Sequence, residues 1–519
     1  MSTISPFAAG SYATNRNTSQ LLALKGQLND LSTQLSTGLK AQTYGGLGVG
    51  RATALGTQAT ISALSGYAAG ITAAQTRTKV AVASLTQVVA IGTGTQTALA
   101  NGLQSIPINT TTARTLATGN LQSALDTFNQ SAGTDYVFGG RNGTTQPVVD
   151  ANTIIDGLTN ADGTTQAGLK GVITEQVKAD LGTASNGRLT QTQPTSASVQ
   201  VSEETNDATR GKFGFTLAGK PSATGTAISV GYTTSTPTSA ASFTLGVASQ
   251  PTAGDTISFA LKLPDGTSTT VTLAAAATAS ADSTSAFKIG ADVNATAANL
   301  SAALGNALQA AAGGALTASA TARAAQNFFT GSASAGVTPQ RVTFDAKKNP
   351  TGYTAGTPQN TVVWYQGEDG GTDPRASQTV QISATGTVQT GGRANEAAIR
   401  ATLAGLATVA FGLPDSGSAN AGTAYQAISD RAKPLLATAD TSPGVQDIVT
   451  SLSLAATRLS DAATTNTAAQ NTLQDTLEGV EQAPIQETVV KLLDIQNRLQ
   501  ASYQLTSTLS KLSLVNYLS

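Results

Sequence analysis

The sequence predicts an α+β protein: long terminal α-helices forming coiled-coil or bundle layers, with one or more β-rich outer domains inserted between them. Three observations carry this. Apolar residues at both ends of the 519-residue chain recur at heptad or near-heptad spacing. A second pair of helical segments lies just inside the first. Between these pairs the hydrophobic period changes from 3.6 to 2.

The N-terminal stretch "LLALKGQLNDLSTQL" places Leu21, Leu24, Leu28, Leu31 and Leu35 at steps of 3, 4, 3 and 4, one narrow stripe on a long helix. An ordinary amphipathic helix in a bundle would show the same spacing, and the other end of the chain bears on the choice. There "PIQETVVKLLDIQNRLQ" carries Ile485, Val489, Leu492 and Leu499, and the apolar positions run on through Leu505, Leu509, Leu512 and Leu514. Pro484 suits the first turn of this helix, where its missing N–H costs nothing. A helix from Pro484 to Leu518 would span roughly 50 Å. Neither stripe can be hidden by its own helix, so pairing the two ends and covering the pair with further copies is the simplest solution. Leu21, Leu24, Leu28, Leu31, Leu35, Ile485, Val489, Leu492, Leu499, Leu509 and Leu512 are therefore the candidate polymerisation residues.

After the first helix, "YGGLGVGR" supplies Gly45, Gly46, Gly48 and Gly50. It has no Lys-Ser/Thr at P-loop spacing and follows a helix rather than a strand, so it reads as a joint between helical rods and not as a phosphate cradle. The inboard helix follows, with Ile61, Leu64, Tyr67, Ile71, Thr78, Ala81, Leu85 and Val88 near helical period, then another with Leu121, Leu125 and Phe128. Its C-terminal mirror, started by Ser442-Pro443, holds Val445, Ile448, Leu452, Ala455 and Leu459. Asp30 is the one acidic residue among the first 125, so these helices depend on packing rather than ion pairs.

In the middle, "TISFALKLPDGTSTTVTL" alternates Ile257, Phe259, Leu261 and Leu263, turns at Pro264-Asp265-Gly266, and returns through Val271 and Leu273. "KFGFTL", "AISVGY", "FTLGV" and "RVTF" read as further strands. A helix is expected from Asn294, its cap, to Leu308, and another after a cap at Asn395. "NTVVWYQ" and "SQTVQIS" are expected to pair. The expected domains are an inner helical polymerisation domain (1–42 and 472–519), a second, mainly helical rod domain with some strands (43–165 and 345–471), and the outer β-rich insertion (166–344).

Composition narrows function. With no Cys and no His, disulfides, thiolate metal sites and Ser-His-Asp chemistry are excluded. A net charge of −1 lacks the basic face that nucleic acid requires. Only 11% of residues are charged, against about 25% in ordinary globular chains, so little charge repulsion opposes self-association. No run is long and apolar enough for a membrane span, and the start lacks the pattern of an ordinary signal peptide. In "GEDGGTDPR", Glu368, Asp369 and Asp373 offer oxygen ligands, but without the spacing or closing Glu of an EF-hand. No catalytic residues, cofactor or metal site emerge.

Several segments resemble the bacterial flagellin family and its close relative, the hook–filament junction protein. They are "LNDLSTQLSTGLKAQTYGGLG", "TDYVFGGRNG", "VVWYQGEDGGTDPRASQTV" with "GGRANEAAIRATL", and the end "NRLQASYQLTSTLSKLSLVNYLS", together about half the chain. "LSTGLK", Leu35 to Lys40, matches the family's "L-S-[ST]-G-x-[KR]" signature, and "FGG" at Phe138 to Gly140 is nearer to the junction protein. The resemblance implies a non-enzymatic structural subunit that self-assembles helically into a hollow tube for swimming motility. The arms around Ile4 to Leu35 and Ile485 to Leu518 would line its innermost layer. It further implies export to the extracellular flagellum without a cleaved signal peptide. The implied partners are other copies in a helical homopolymer, hook-associated and cap proteins, and the export apparatus. Two features depart from the family: "YGGLGVGR" stands where an acidic pair is usual, and "ASLTQVVAIGTGTQTALA" lacks the basic-acidic set tied to immune recognition. The alternatives are a junction adaptor or, from another class, a surface carbohydrate- or calcium-binding module.

Overall fold

Alanine-rich stretches with few charges become helices here, and the β-branched alternating stretches become strands. The computed structural model describes residues 6–105, 108–236, 239–415, 418, 420–437 and 444–518, and the side chains of these apart from 6–11, 13, 509, 510 and 512–518. The helices are α1 (Pro6–Thr37), α2 (Arg51–Gln104), α3 (Thr110–Thr127), α4 (Ala151–Asp156), α5 (Leu169–Leu181), α6 (Val293–Ala311), α7 (Thr317–Phe328), α8 (Ala397–Gly412), α9 (Ala421–Leu436), α10 (Val445–Glu481) and α11 (Ile485–Leu518). Helix takes 53% of the chain and strand 17%, with the longer strands confined to the middle. That segregation makes the class α+β rather than alternating α/β.

The chain divides into two units. The first comprises Met1–Thr72, Gln381–Gly386 and Leu459–Ser519. In it α1 packs against α11, so the two ends of the described chain pair.

The second unit, Ala73–Val380 and Thr387–Arg458, holds two large cores. In the helical core α8 is central: Leu403, Leu406, Val409 and both flanking alanines of Leu406's turn are buried, against α3, α7 and α9. The segment "NTVVWYQ" threads this core. Thr361 to Tyr365 are buried in succession, the Trp364 indole N–H donates to Phe329 O at 3.0 Å, and the two rings meet edge-on at 5.3 Å. Burial on consecutive residues rather than alternate ones is why this stretch is not a sheet strand. It makes single bridges to Val148, Ala167 and Ser332 instead. Its expected partner "SQTVQIS" supplies a strand that folds back on a later one, Thr379–Gln381 with Thr387–Gln389.

The second core is built on two sheets. Besides the pair Thr379–Gln381 with Thr387–Gln389, three short strand pairs lie outside it, β1 (Ser131–Ala132) with β2 (Asp135–Tyr136), β3 (Leu158–Thr159) with β4 (Thr165–Gln166), and a later hairpin named below. The four-stranded sheet runs β5 (Thr190–Thr192), β6 (Ser198–Ser202), β10 (Ser242–Val247), β9 (Ile228–Thr233) in spatial order. The other runs β13 (Ala286–Lys288), β12 (Ser268–Ala276), β11 (Thr256–Lys262), β7 (Thr216–Leu217), with β8 (Ser222–Ala223) also against β11. Phe243 and Phe259, one from each sheet, approach at 4.9 Å, and Leu300, Leu304 and Leu308 of α6 complete the core. The β11–β12 hairpin turns where the alternation predicts, with Ile257 opposite Leu273 and Phe259 opposite Val271. "KFGFTL" contributes only Thr216–Leu217 as strand. "RVTF" lies in the hairpin β14 (Gln340–Phe344) with β15 (Pro350–Ala355).

Two expected caps shift. Asp292, not Asn294, caps α6, its Oδ1 accepting from Ala295 N at 2.8 Å; the helix starts earlier because Asp292 is extended and can reach that N–H. Asn395 does not cap α8, which begins at Ala397 behind Glu396; the Glu396 carboxylate is drawn to Arg375 and to Arg393 N. A π-helical turn, Ala312–Leu316, joins α6 to α7, so one helical path enters both cores. The expected 166–344 stretch lies inside this unit, with α5 and α7 packed on each other and α7 on α8. The start signal Ser442-Pro443 and Ile4 lie outside the described residues.

Candidate assembly surface

On α1, Leu21, Leu24, Leu28 and Leu31 are half-buried and Leu35 is exposed. On α11, Leu499 is buried, Val489 and Leu492 are half-buried, and Ile485 is 57% exposed. The structure thus brings part of each predicted stripe together and leaves the rest wet. Leu509 and Leu512 lie on α11, and their side chains are outside the described ones. Large apolar side chains that spacing did not single out are more exposed still: Tyr12 at 72%, Leu22 at 65%, Val490 at 66% and Tyr503 at 58%. Leu22 and Val490 each sit next to a stripe residue and so lie off its line, while Tyr503, four residues beyond Leu499, continues the line of the α11 stripe. A count of one spacing misses the first two because it ignores neighbours off that line.

The two helices are clasped where α1 ends and α11 begins. Gly38, at φ +72°, stops α1 with its N–H on Gln34 O at 2.8 Å, the left-handed cap that glycine adopts without a Cβ penalty. Gly38 O then accepts from Ala483 N at 2.8 Å, and Lys40 N donates to Glu481 O at 2.7 Å. The Lys40 ammonium sits on the carbonyls of Gly479 and Val480 at 2.8 and 3.0 Å, neutralising the negative end of α10. "LSTGLK" therefore encodes a helix stop and a cation for another helix's C-terminus.

The predicted joint is a short 3₁₀ segment, Tyr44–Gly50. Gly48 breaks it at φ +57°, ψ −121°. A Cβ on Gly50 would come within 2.9 Å of Val480 Cγ1, and one on Gly46 within 2.7 Å of Ala41 Cβ. Gly45 has ordinary space around it. Three of the four glycines are thus required by conformation or close approach.

Beyond the joint, α2 buries or half-buries Ala54, Thr57, Ile61, Leu64, Ala68 and Ile71, steps of 3 and 4 throughout. On α10, Leu459, Ala462, Asn466, Ala469, Leu473 and Leu477 do the same. Asn466 is a polar member of this seam and is 5% exposed. Its amide donates to Leu64 O at 2.9 Å, while its Oδ1 accepts from Gln470 at 3.2 Å. Its polarity hides it from any count of apolar spacing.

Three separated segments converge in the second unit. Gly140 N donates to Gly392 O at 3.1 Å, Glu368 N to Gly139 O at 2.9 Å, and Arg141 N to the Glu368 carboxylate at 2.7 Å. A Cβ on Gly139 would lie 2.5 Å from Asn142 O, so the tight turn there needs glycine, and one on Gly367 would lie 3.0 Å from Gly139 Cα, where the two backbones cross. Glu368 also pairs with buried Arg393 at 3.1 Å, and Asp373 caps the turn Pro374–Ser377 through Arg375 N. Two of the three carboxylates offered by "GEDGGTDPR" are therefore committed to arginine and backbone. Glu396 is pushed up from the ordinary carboxylate range by burial, with Arg375 opposing the shift.

Among the described residues, no group of three or more His, Cys, Asp or Glu side chains could hold a metal ion, and no helix is long and apolar enough to cross a membrane. The first unit presents wet apolar side chains on two helices that a backbone clasp holds together. Comparison of the chain with protein-family models, with curated proteins and with solved structures finds no match.

Proposed function

We propose that the chain is the structural subunit of a bacterial flagellar filament, assembling helically with copies of itself into a hollow extracellular tube. On this reading α1 and α11 pair as an inner coiled-coil layer, α2 and α10 form the next, and the β-rich 166–344 region faces solvent. The chain would be exported without a cleaved signal peptide, meet hook-associated and cap proteins, and perform no catalysis.

The observation that carries the proposal is the wet apolar surface of the paired helices α1 and α11, including Leu22, Val490, Leu493 and Leu505. Fully burying such a side chain is worth about 1.5–3 kcal/mol, a gain repeated in every subunit of a polymer. A chain with few charges meets little repulsion on assembly.

The test is seeded polymerisation of purified full-length chain, read by electron microscopy and sedimentation. Wild type is expected to form long tubes. The double substitution Val490→Asp with Leu493→Asp should abolish sedimentable polymer without altering the circular dichroism of the soluble chain, because carboxylates cannot be buried unpaired in an apolar contact. Wild type that never polymerises at high concentration, or a double variant that still forms stable tubes, refutes the proposal.

A further inference from the structure

The second unit carries a groove of about 660 Å³ whose one wall is a sheet edge. β12 pairs with β11 from Ser268 to Ala274, but its other neighbour, β13, covers only Ala274 to Ala276. The place beside Ser268–Thr272 is empty, and that stretch lines the groove.

The direction of the backbone groups follows from the bonds at each end. Ala275 N donates to Asp255 O at 2.7 Å and Thr267 O accepts from Leu263 N at 2.8 Å, both on the β11 side. Ala274 N donates to Ser285 O at 2.9 Å on the opposite side. Alternation along an antiparallel strand then aims the N–H and C=O of Ser268, Thr270 and Thr272 away from β11 and into the groove. No described residue pairs with them there. Natural edges of this kind are usually blunted by lysine, proline or a covering strand. Ser268-Thr269-Thr270-Val271-Thr272 has no charge and no proline.

The other walls define what fits. Ala307, Ala311, Gly314 and Ala315, from α6 and the π turn, make a smooth floor. α9 forms the far wall and is tied to the hairpin tip by Arg431, which pairs with Asp265 at 2.9 Å and donates to Thr267 Oγ1 at 2.9 Å. Beside it Asp430 lines the groove, has no ion-pair partner among the described residues, and accepts only from Gln426, at 2.6 Å. The unneutralised charge of the groove is thus a carboxylate.

We propose that this groove binds an extended polypeptide segment by strand addition to β12. The segment completes the half-filled position beyond β13, lays small uncharged side chains on the alanine floor, and sets a basic residue against Asp430. Main-chain bonds would supply affinity, and the floor and carboxylate the selectivity. The site lies wholly within the second unit and does not depend on the filament proposal.

The probe is a dye-labelled, capped peptide of seven residues alternating threonine and valine with one terminal lysine, titrated with unpolymerised full-length chain and read by fluorescence anisotropy. Saturable binding is expected. Thr270→Pro removes a groove-facing N–H that β11 does not use, so thermal unfolding should be unchanged while affinity falls by about tenfold or more. Asp430→Asn should weaken the lysine peptide and leave a lysine-free version unaffected. The same peptide N-methylated at every residue, which blocks both of its edges, should not bind wild type, and this keeps the test decisive should Thr270→Pro misfold. Absence of saturable binding, or undiminished binding of the N-methylated peptide, overturns the proposal.

Discussion

α8, rich in alanine, and α11, rich in leucine, both carry many apolar side chains, yet they end in opposite surroundings. Along α8 nearly every side chain from Ala398 to Ala410 is buried, on all sides of the helix. Along the described part of α11 only Thr488 and Leu499 are, while Val490, Leu493, Tyr503 and Leu505 stand more than half exposed. The difference teaches that apolar content and period announce a need for partners without saying whether the same chain supplies them. α8 finds α3, α7 and α9; α11 finds α1 and is left with a face uncovered.

The largest expected effect breaks the comparison if it fails. Leu406→Ala, at a site with no exposure, should destabilise the second unit by about 2–5 kcal/mol through lost transfer energy and the cavity left behind. Leu493→Ala, in the unpolymerised chain, should stay within about 0.5 kcal/mol. Thermal unfolding of the two variants measures both, and equal losses would mean that α11 is covered within the chain.

A smaller effect sharpens what holds the long helices of the first unit in register. Asn466→Ala should cost about 1 kcal/mol, removing the bond to Leu64 O. Asn466→Leu should be neutral or stabilising while relaxing the fixed alignment, as polar seam residues trade stability for register. Hydrogen exchange in 61–72 and 459–473 is the readout: the leucine variant should broaden exchange there even where its melting temperature rises.

The smallest effect is a pH slope in the second unit. Buried Asp180 is raised from 3.8 to about 6, chiefly by desolvation, against the opposing charge of Arg323 and the N–H of Gly214. Because the folded state holds this proton more tightly than the unfolded state does, the group's contribution to stability is greatest below about pH 4. It declines as pH rises through about 6. Relative to Asp180→Asn, wild type should therefore lose melting temperature between pH 4 and pH 6 and show a constant offset above it. A difference that grows more favourable to wild type over that range would show that the Arg323 pairing outweighs burial.

Much of the site could be read before folding because its information is local. Leu21 to Leu31 and Val489 to Leu499 follow from spacing alone, as does the β11–β12 hairpin from alternation around Pro264-Asp265-Gly266. Lys40 on the carbonyls of α10 was not legible, since donor and acceptor are more than 400 residues apart and neither belongs to a periodic pattern. Nor was Asn466, whose polarity makes sense only opposite Leu64 O. "NTVVWYQ" misled because its β-branched and aromatic residues suit a strand, whereas burial on every side made it a core thread.

By itself the sequence determined the class, since helical and strand periods are printed residue by residue in where apolar side chains must point. It also determined the need for a partner at both ends, because a stripe of leucines on a helix cannot cover itself. Tertiary structure alone decided which stripes were satisfied within the chain, where glycines had to let backbones cross, and which strand edge stayed open. Those outcomes depend on distances between residues hundreds of positions apart, and no local pattern carries that information.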